Sequence, residues 1–238
     1  MTWLNVAALL LFALLNLLAE RVGRWPLGWS QPLVRTLCRL LLYGNLLRYL
    51  VVYPFFDLQI RIPAEFSTVA YFAVPMILLA GRRTLTGWAA YSGLMAGFFY
   101  YLAMAAAGGA IYGDNALADT VISLFCHGTL YFVGRVTIAT VRCQSAHMDR
   151  LLLCGVGYVA LRAALLRPLV VGRGRMLIYI LLDAIPVQMA FPRWAWELAL
   201  PVYYALLLAF VLVTISGFCR RSEQQYRRYT ALRAAACS

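Results

Sequence analysis

A histidine inside an apolar segment is the residue of this chain that points most clearly to chemistry. His127 lies in the run from Thr120 to Val141, which is long and apolar enough to cross a bilayer. Because a titratable ring costs free energy in hydrocarbon, an ionisable residue there indicates a functional site. Ser123, His127, Tyr131 and Arg135 recur at four-residue spacing and therefore form one polar stripe on the predicted helix.

Hydroxyl residues at the start of the predicted third helix supply the other half of a catalytic pair. Serine is a poor nucleophile until a base takes its proton, so a hydroxyl facing an imidazole is the minimum for nucleophilic catalysis. Ser67, or alternatively Thr68, is the candidate nucleophile, and His127 is the general base. Glu65 is expected to orient the ring or to act as the base itself. The structural alternative is that the hydroxyls bond to their own backbone and His127 only ties helices together.

Two arginines and two tyrosines are the predicted substrate-binding residues. At 1.5 Å of rise per residue, Arg48 lies in the outer half of helix two and Arg162 near the middle of helix six, in a layer shared with His127. Their guanidinium groups suit an anionic headgroup. Tyr71 shares a face of helix three with the hydroxyl residues, and Tyr131 follows His127 by one turn.

The composition is that of an all-α, polytopic membrane protein. Of the 238 residues, 63% are hydrophobic and 13% are charged, and the mean hydropathy is +0.76. Soluble domains have about 25% charged residues, and one crossing takes about 20 residues of helix. Seven spans are therefore predicted: Trp3 to Ala19, Leu33 to Phe55, Ile62 to Ala80, Trp88 to Ile111, Thr120 to Val141, Leu151 to Val171 and Trp194 to Phe218.

Small and polar residues within the spans predict how the helices pack. Gly93 and Gly97 have the G-x-x-x-G spacing and precede an alanine and glycine run from Ala105 to Ala110, so helix four is expected at the centre. Asn16 is expected to hydrogen-bond to a helix that neighbours the first span.

The segment from Met176 to Ala190 is apolar but too short for a comfortable crossing. Asp183 and Pro186 interrupt it, which favours a re-entrant or interfacial segment. The chain then divides into a helical membrane domain over 1–218 and a basic cytoplasmic tail over 219–238.

Arginine placement sets the predicted orientation, with the amino terminus outside and the carboxy terminus in the cytoplasm. Arginines follow the first and third spans and fill the tail: Arg21, Arg24, Arg82, Arg83, Arg220, Arg221, Arg227, Arg228 and Arg233. Arg173 and Arg175 fall on the outer side in this topology, and nothing in the sequence explains them.

Several functional classes are excluded by composition. All 21 basic residues are arginine, so the chain lacks the lysine that a retinal Schiff base needs. The net charge of +12 reflects orientation and contact with anionic lipid, not nucleic acid. Six cysteines without a C-x-x-C pair indicate reduced thiols, and Cys126 and His127 are neighbours that face about 100° apart on a helix. No metal site or cofactor is expected.

Four short motifs in order resemble the YwaF-like family of bacterial integral membrane proteins. They are Arg35 to Asn45, Ile62 to Ser67, Cys126-His127-Gly128 and Phe191 to Trp196. A eukaryotic relative is a TMEM-type acyltransferase that remodels ether phospholipids. The family's Pro-Leu-His-Leu-Cys signature corresponds to Pro63-Ala64-Glu65-Phe66-Ser67, so glutamate replaces histidine and serine replaces cysteine. The eukaryotic nucleophile's place is held by Ala64, so its thioester chemistry does not transfer.

The leading hypothesis is a lipid-directed acyltransferase or hydrolase of the bacterial inner membrane that acts on a phospholipid or fatty-acyl substrate. A second hypothesis is a small-solute or proton-coupled transporter, in which Glu65 and His127 relay protons and the arginines set anion preference. A third is a membrane scaffold without enzymatic activity.

Overall fold

Seven α-helices form the described part of the chain, in the order in which the seven spans are predicted. The computed structural model describes residues 3–52, 66–107, 117–142, 148–171, 176–180, 185–189 and 193–235. Of residues 107, 117–119, 162–200 and 203, only the backbone of the described elements is considered. The helices are α1 Trp3–Arg24, α2 Leu27–Leu47, α3 Phe66–Leu79, α4 Thr86–Ala107, α5 Leu117–Thr140, α6 Met148–Val171 and α7 Arg193–Ala235. A π-helical turn, Arg48–Val52, follows α2, and a 3₁₀ turn, Arg83–Leu85, precedes α4. The helical architecture is confirmed.

Four segments of the described residues are long and apolar enough to cross a membrane. They are Trp3–Arg24, Arg83–Ala106, Thr120–Thr140 and Tyr204–Ala235. The described part of α3 is a shorter apolar helix of 14 residues. Since about 20 residues of helix span the hydrocarbon, these four segments are typical of a membrane protein. The prediction of seven crossings goes further than these four.

The segment predicted as re-entrant or interfacial contains a β-hairpin. Strand β1, Met176–Ile180, pairs antiparallel with β2, Ile185–Met189, in a register that matches Met176 with Met189. Its β-branched and aromatic residues favour strand over helix, which the apolar pattern alone did not distinguish. Five residues extend only about 17 Å, and open sheet edges are not found exposed to lipid tails. The hairpin is therefore suited to the re-entrant or interfacial position predicted for this segment, which stays a prediction.

Helices α4 and α5 meet through glycines at the centre of the fold. A Cβ atom built at Gly93 would lie 2.8 Å from the carbonyl oxygen of Leu130, and one at Gly97 would lie 2.8 Å from that of His127. From the opposite side, a Cβ at Gly134 would lie 2.9 Å from the Ala90 carbonyl oxygen. The two backbones approach closely because these positions lack side chains. The predicted role of the small residues in helix four is confirmed.

The predicted basic tail is not a separate region, because α7 continues as one helix to Ala235. Cys219, Ser222 and Tyr229 are buried on its inner face, whereas Arg220 and Arg227 are exposed. This inner face packs against the carboxy-terminal ends of α1 and α5. The described part of the tail therefore packs against the bundle, and the predicted division at residue 219 stays a prediction.

An arginine and a glutamate join the tail to the rest of the fold. The Arg233 guanidinium donates to the carbonyl oxygens of Gly23, at 2.8 Å, and Ala139, at 3.0 Å. The last carbonyls of a helix have no amide donor within it, so one side chain satisfies the ends of α1 and α5 together. Glu20 accepts from Arg228 at 3.0 Å and from the Tyr229 hydroxyl.

Replacing Arg233 with alanine is expected to lower the free energy of unfolding by about 1.5–3 kcal/mol, since hydrogen bonds from a charged donor to two buried carbonyls are lost. Arg220→Ala is the matched control, because Arg220 lies on the exposed face of the same helix. Thermal unfolding of both variants in detergent measures the difference. Equal midpoints for the two would contradict the capping role.

Candidate functional site

His127 lies at the junction of α3, α4 and α5, and only 6% of its surface is exposed. Its Nδ1 is 2.8 Å from the carbonyl oxygen of Ser123, one turn earlier in α5. The Tyr71 hydroxyl oxygen, from α3, is 2.8 Å from Nδ1 and 3.1 Å from Nε2. The ring stacks on Tyr100 of α4, with centroids 3.8 Å apart and planes 8° apart.

These contacts define which ring nitrogen of His127 carries the proton. The Ser123 carbonyl can only accept, so Nδ1 is the donor in that hydrogen bond. Nε2 of that tautomer is the acceptor for the Tyr71 hydroxyl 3.1 Å away, although this hydroxyl oxygen lies nearer to Nδ1, at 2.8 Å. The basic nitrogen is thus in contact with a hydroxyl group, as general-base chemistry requires, and that hydroxyl belongs to Tyr71.

The predicted nucleophiles lie one turn before Tyr71 on α3. Thr68 is buried and Ser67 is half-buried. Helical side chains lean toward the amino terminus, so the Tyr71 ring lies over the turn that carries Ser67 and Thr68. Within the described residues, neither hydroxyl is hydrogen-bonded to His127, and Tyr71 occupies that position instead. His127 therefore contacts α3 through the Tyr71 hydroxyl, and the direct serine and histidine pair is not formed among the described side chains.

The polar stripe on α5 contacts two different helices. Tyr131 donates to Oδ1 of Asn16 on α1 at 2.7 Å, which confirms the predicted role of Asn16. Arg135 lies 3.9 Å from the Glu20 carboxylate, also on α1. Tyr131 therefore serves the contact between α1 and α5, and its substrate role stays a prediction.

Of the two arginines predicted to bind substrate, Arg48 has a described side chain and Arg162 has not. Arg48 begins the π-helical turn after α2, three residues beyond Asn45. Arg162 belongs to α6, and its side chain lies outside the described set. Glu65, Arg173 and Arg175 also lie outside the described residues. Of the predicted substrate-binding residues, the structure thus brings Tyr71 to His127.

Tyr100 is the functional neighbour that the sequence analysis missed. It falls in an aromatic run that is typical of packing or of an interfacial belt. Its signal was the three-residue spacing from Gly97, which puts both on the face of α4 that meets α5. The stack on Tyr100 fixes the plane of the imidazole and leaves its edge directed at α3.

No cluster of three or more histidine, cysteine, aspartate or glutamate side chains suited to a metal occurs in the described ranges. Four cysteines within the described ranges are free thiols: Cys38, Cys126, Cys154 and Cys219.

Comparison with known proteins gives no match to this chain, whether by family model, by curated protein or by solved structure. The resemblance to the YwaF-like family is therefore a prediction that rests on the order of its motifs.

Proposed function

We propose that this chain is a multi-pass membrane enzyme that hydrolyses or transfers a lipid acyl group, with His127 as its general base. The observation that carries the proposal is the contact between the buried imidazole of His127 on α5 and the Tyr71 hydroxyl of α3, the helix that also carries Ser67 and Thr68. A buried titratable ring among aromatic side chains is typical of an intramembrane site with a function. Membership of the YwaF-like family is part of the same proposal.

The proposed topology has seven crossings of a bacterial inner membrane, with the carboxy terminus in the cytoplasm. The carboxy-terminal ends of α1 and α5 meet the arginine-rich end of α7 at Glu20, Gly23 and Ala139. Alternating crossings require this arrangement, because odd-numbered helices then run in the same direction. The arginines at that end fit the cytoplasmic side.

In the proposed reaction, the Ser67 oxygen, or less favourably that of Thr68, attacks the acyl carbonyl carbon. The serine proton passes to the Tyr71 oxygen while the Tyr71 proton passes to Nε2 of His127. The ester bond breaks, and the departing alkoxide takes the proton back from this relay. Water or an acceptor alcohol then releases the acyl group by the same steps. Arg48 and Arg162 hold the headgroup, and Glu65 orients the site.

A lipid-like serine-reactive probe tests this proposal on the purified protein. The wild type is expected to form a covalent adduct, and Ser67→Ala is expected to lose it, because the attacking oxygen is gone. If Thr68→Ala loses the adduct instead, the nucleophile is Thr68. Ser92→Ala is the matched control, since Ser92 is buried in α4 and bonded to the Trp88 carbonyl of its own helix. Absence of wild-type labelling, with unchanged lipids in cells that lack the protein, would contradict the enzyme.

A proton-coupled transporter is the second candidate, because one specific observation favours it. The α5 stripe forms successive interhelical contacts, His127 to Tyr71, Tyr131 to Asn16 and Arg135 to Glu20. Such a column of polar groups is suited to moving protons or ions. In proteoliposomes, a transporter would acidify the lumen and retain that flux in Ser67→Ala. A scaffold would give neither flux nor adduct.

A further inference from the structure

Asn45 carries a buried amide oxygen that has no hydrogen-bond partner. Only 2% of the residue is exposed, and its Oδ1 lacks a donor within the described part of the chain. Both amide hydrogens have acceptors: Nδ2 donates to the Leu41 carbonyl at 2.8 Å and contacts the Cys126 sulfur at 3.8 Å. The Leu41 carbonyl can only accept, so the amide cannot be flipped. The unpartnered atom is therefore an acceptor that requires a donor from outside the described side chains.

The surroundings of Asn45 connect this acceptor to the His127 site. Cys126, whose sulfur the Asn45 amide contacts at 3.8 Å, immediately precedes His127 in α5. Arg48 follows Asn45 by three residues and begins the π-helical turn Arg48–Val52. Turns of this kind are frequent at functional sites. The other orphaned atoms of the described side chains, on Arg135, Thr137 and Gln225, do not adjoin His127.

We propose that Asn45 and Arg48 bind the headgroup of a phospholipid that carries an O–H or N–H donor. Arg48 binds the phosphate, and Asn45 Oδ1 accepts from the headgroup donor. This inference rests on the proposed function only in taking a phospholipid as substrate. Phosphatidylethanolamine and phosphatidylglycerol have such donors, whereas phosphatidylcholine has none because its ammonium is fully methylated.

Asn45 and the exposed apolar side chains of α2 lie on opposite faces of this helix. Tyr43 and Leu47 are 63% and 57% exposed and share the outer face of α2. Asn45 lies on the inner side, one turn below Arg48. A headgroup bound by Arg48 would thus lie about one helical turn from Asn45, which contacts Cys126.

Lipid retention tests the proposal. The protein is reconstituted in nanodiscs with equal amounts of phosphatidylethanolamine, phosphatidylglycerol and phosphatidylcholine, extracted, and weighed with its bound lipids by native mass spectrometry. The wild type is expected to retain the two donor lipids at least about tenfold over phosphatidylcholine, since one well-placed buried hydrogen bond discriminates strongly. Asn45→Leu, of similar size, is expected to lose this preference. Thr137→Val is the matched control, because Thr137 has a buried orphaned oxygen far along α5.

Equal retention of phosphatidylcholine by the wild type would overturn the inference, as would an unchanged preference in Asn45→Leu. The wild-type comparison needs no variant, so a misfolded Asn45→Leu does not block the test. A wild type that retains donor lipids but forms no covalent adduct with the serine-reactive probe would refute the enzyme and keep the binding site. A wild type that forms the covalent adduct but shows no lipid preference would refute the binding site and keep the enzyme.

Discussion

Replacing Gly97 with alanine is expected to force α4 away from α5 and to lower the free energy of unfolding by about 3 kcal/mol, near the upper end for overpacked cores. The added methyl would collide with Tyr131 and lie 2.8 Å from the His127 carbonyl oxygen. The atoms that the methyl would meet are Cβ and Cα of Tyr131 and the carbonyl oxygen of His127. They are fixed by the α5 backbone and cannot rotate away as the end of a flexible side chain does. Thermal unfolding in detergent, with size-exclusion chromatography for the folded fraction, measures the effect.

Two other helical glycines provide controls for this prediction. A Cβ atom at Gly44 in α2 or at Gly157 in α6 would meet nothing within 4 Å. Alanine there is expected to be neutral or to stabilise by up to about 1 kcal/mol, because alanine restricts the unfolded chain. A Gly97→Ala protein as stable as these two would show that α4 and α5 do not depend on close approach.

Removing the His127 ring is expected to slow acyl chemistry by about 10²–10⁴-fold, the usual contribution of a general base. Tyr71→Phe keeps the aromatic packing but removes the hydroxyl that contacts Nε2. If both residues act in one relay, Tyr71→Phe should slow His127→Ala no further, because the relay is already broken. The rate of adduct formation with the serine-reactive probe is measured for His127→Ala, for Tyr71→Phe and for the double variant.

Tyr131→Phe is the matched control for Tyr71→Phe, since it also removes one buried phenolic hydroxyl. That hydroxyl bonds to Asn16 on α1 and lies outside the His127 site. The rate of Tyr131→Phe is expected to equal that of the wild type. An equal loss of rate in both phenylalanine variants would mean that the Tyr71 hydroxyl acts on stability and not on catalysis.

The helices could be predicted from sequence because long apolar runs have few alternatives to helix in a membrane. Their ends were less predictable. The first span was expected to stop at Ala19, but α1 continues to Arg24, since Glu20 and Gly23 have partners on α7. Those partners lie more than 200 residues away along the chain, and hydropathy carries no information about them.

Part of the candidate site was also visible in the sequence. Helical periodicity placed His127 on a polar stripe and Tyr71 on the face of its hydroxyl residues, and the structure brings these two side chains together. Periodicity did not predict that the Tyr131 hydroxyl bonds to Asn16 of α1, because successive turns of α5 contact different helices. Periodicity gives the face of a residue, whereas its neighbour depends on how the helices are rotated and ordered.

The most direct test of the central claim is acyl release from phospholipid by the purified protein in nanodiscs, measured by mass spectrometry for the wild type and for folded His127→Ala. The account predicts free fatty acid or a transferred acyl chain from the wild type and a loss of about 10²–10⁴-fold in the variant. No product from the folded wild type, or equal product from His127→Ala, would contradict it.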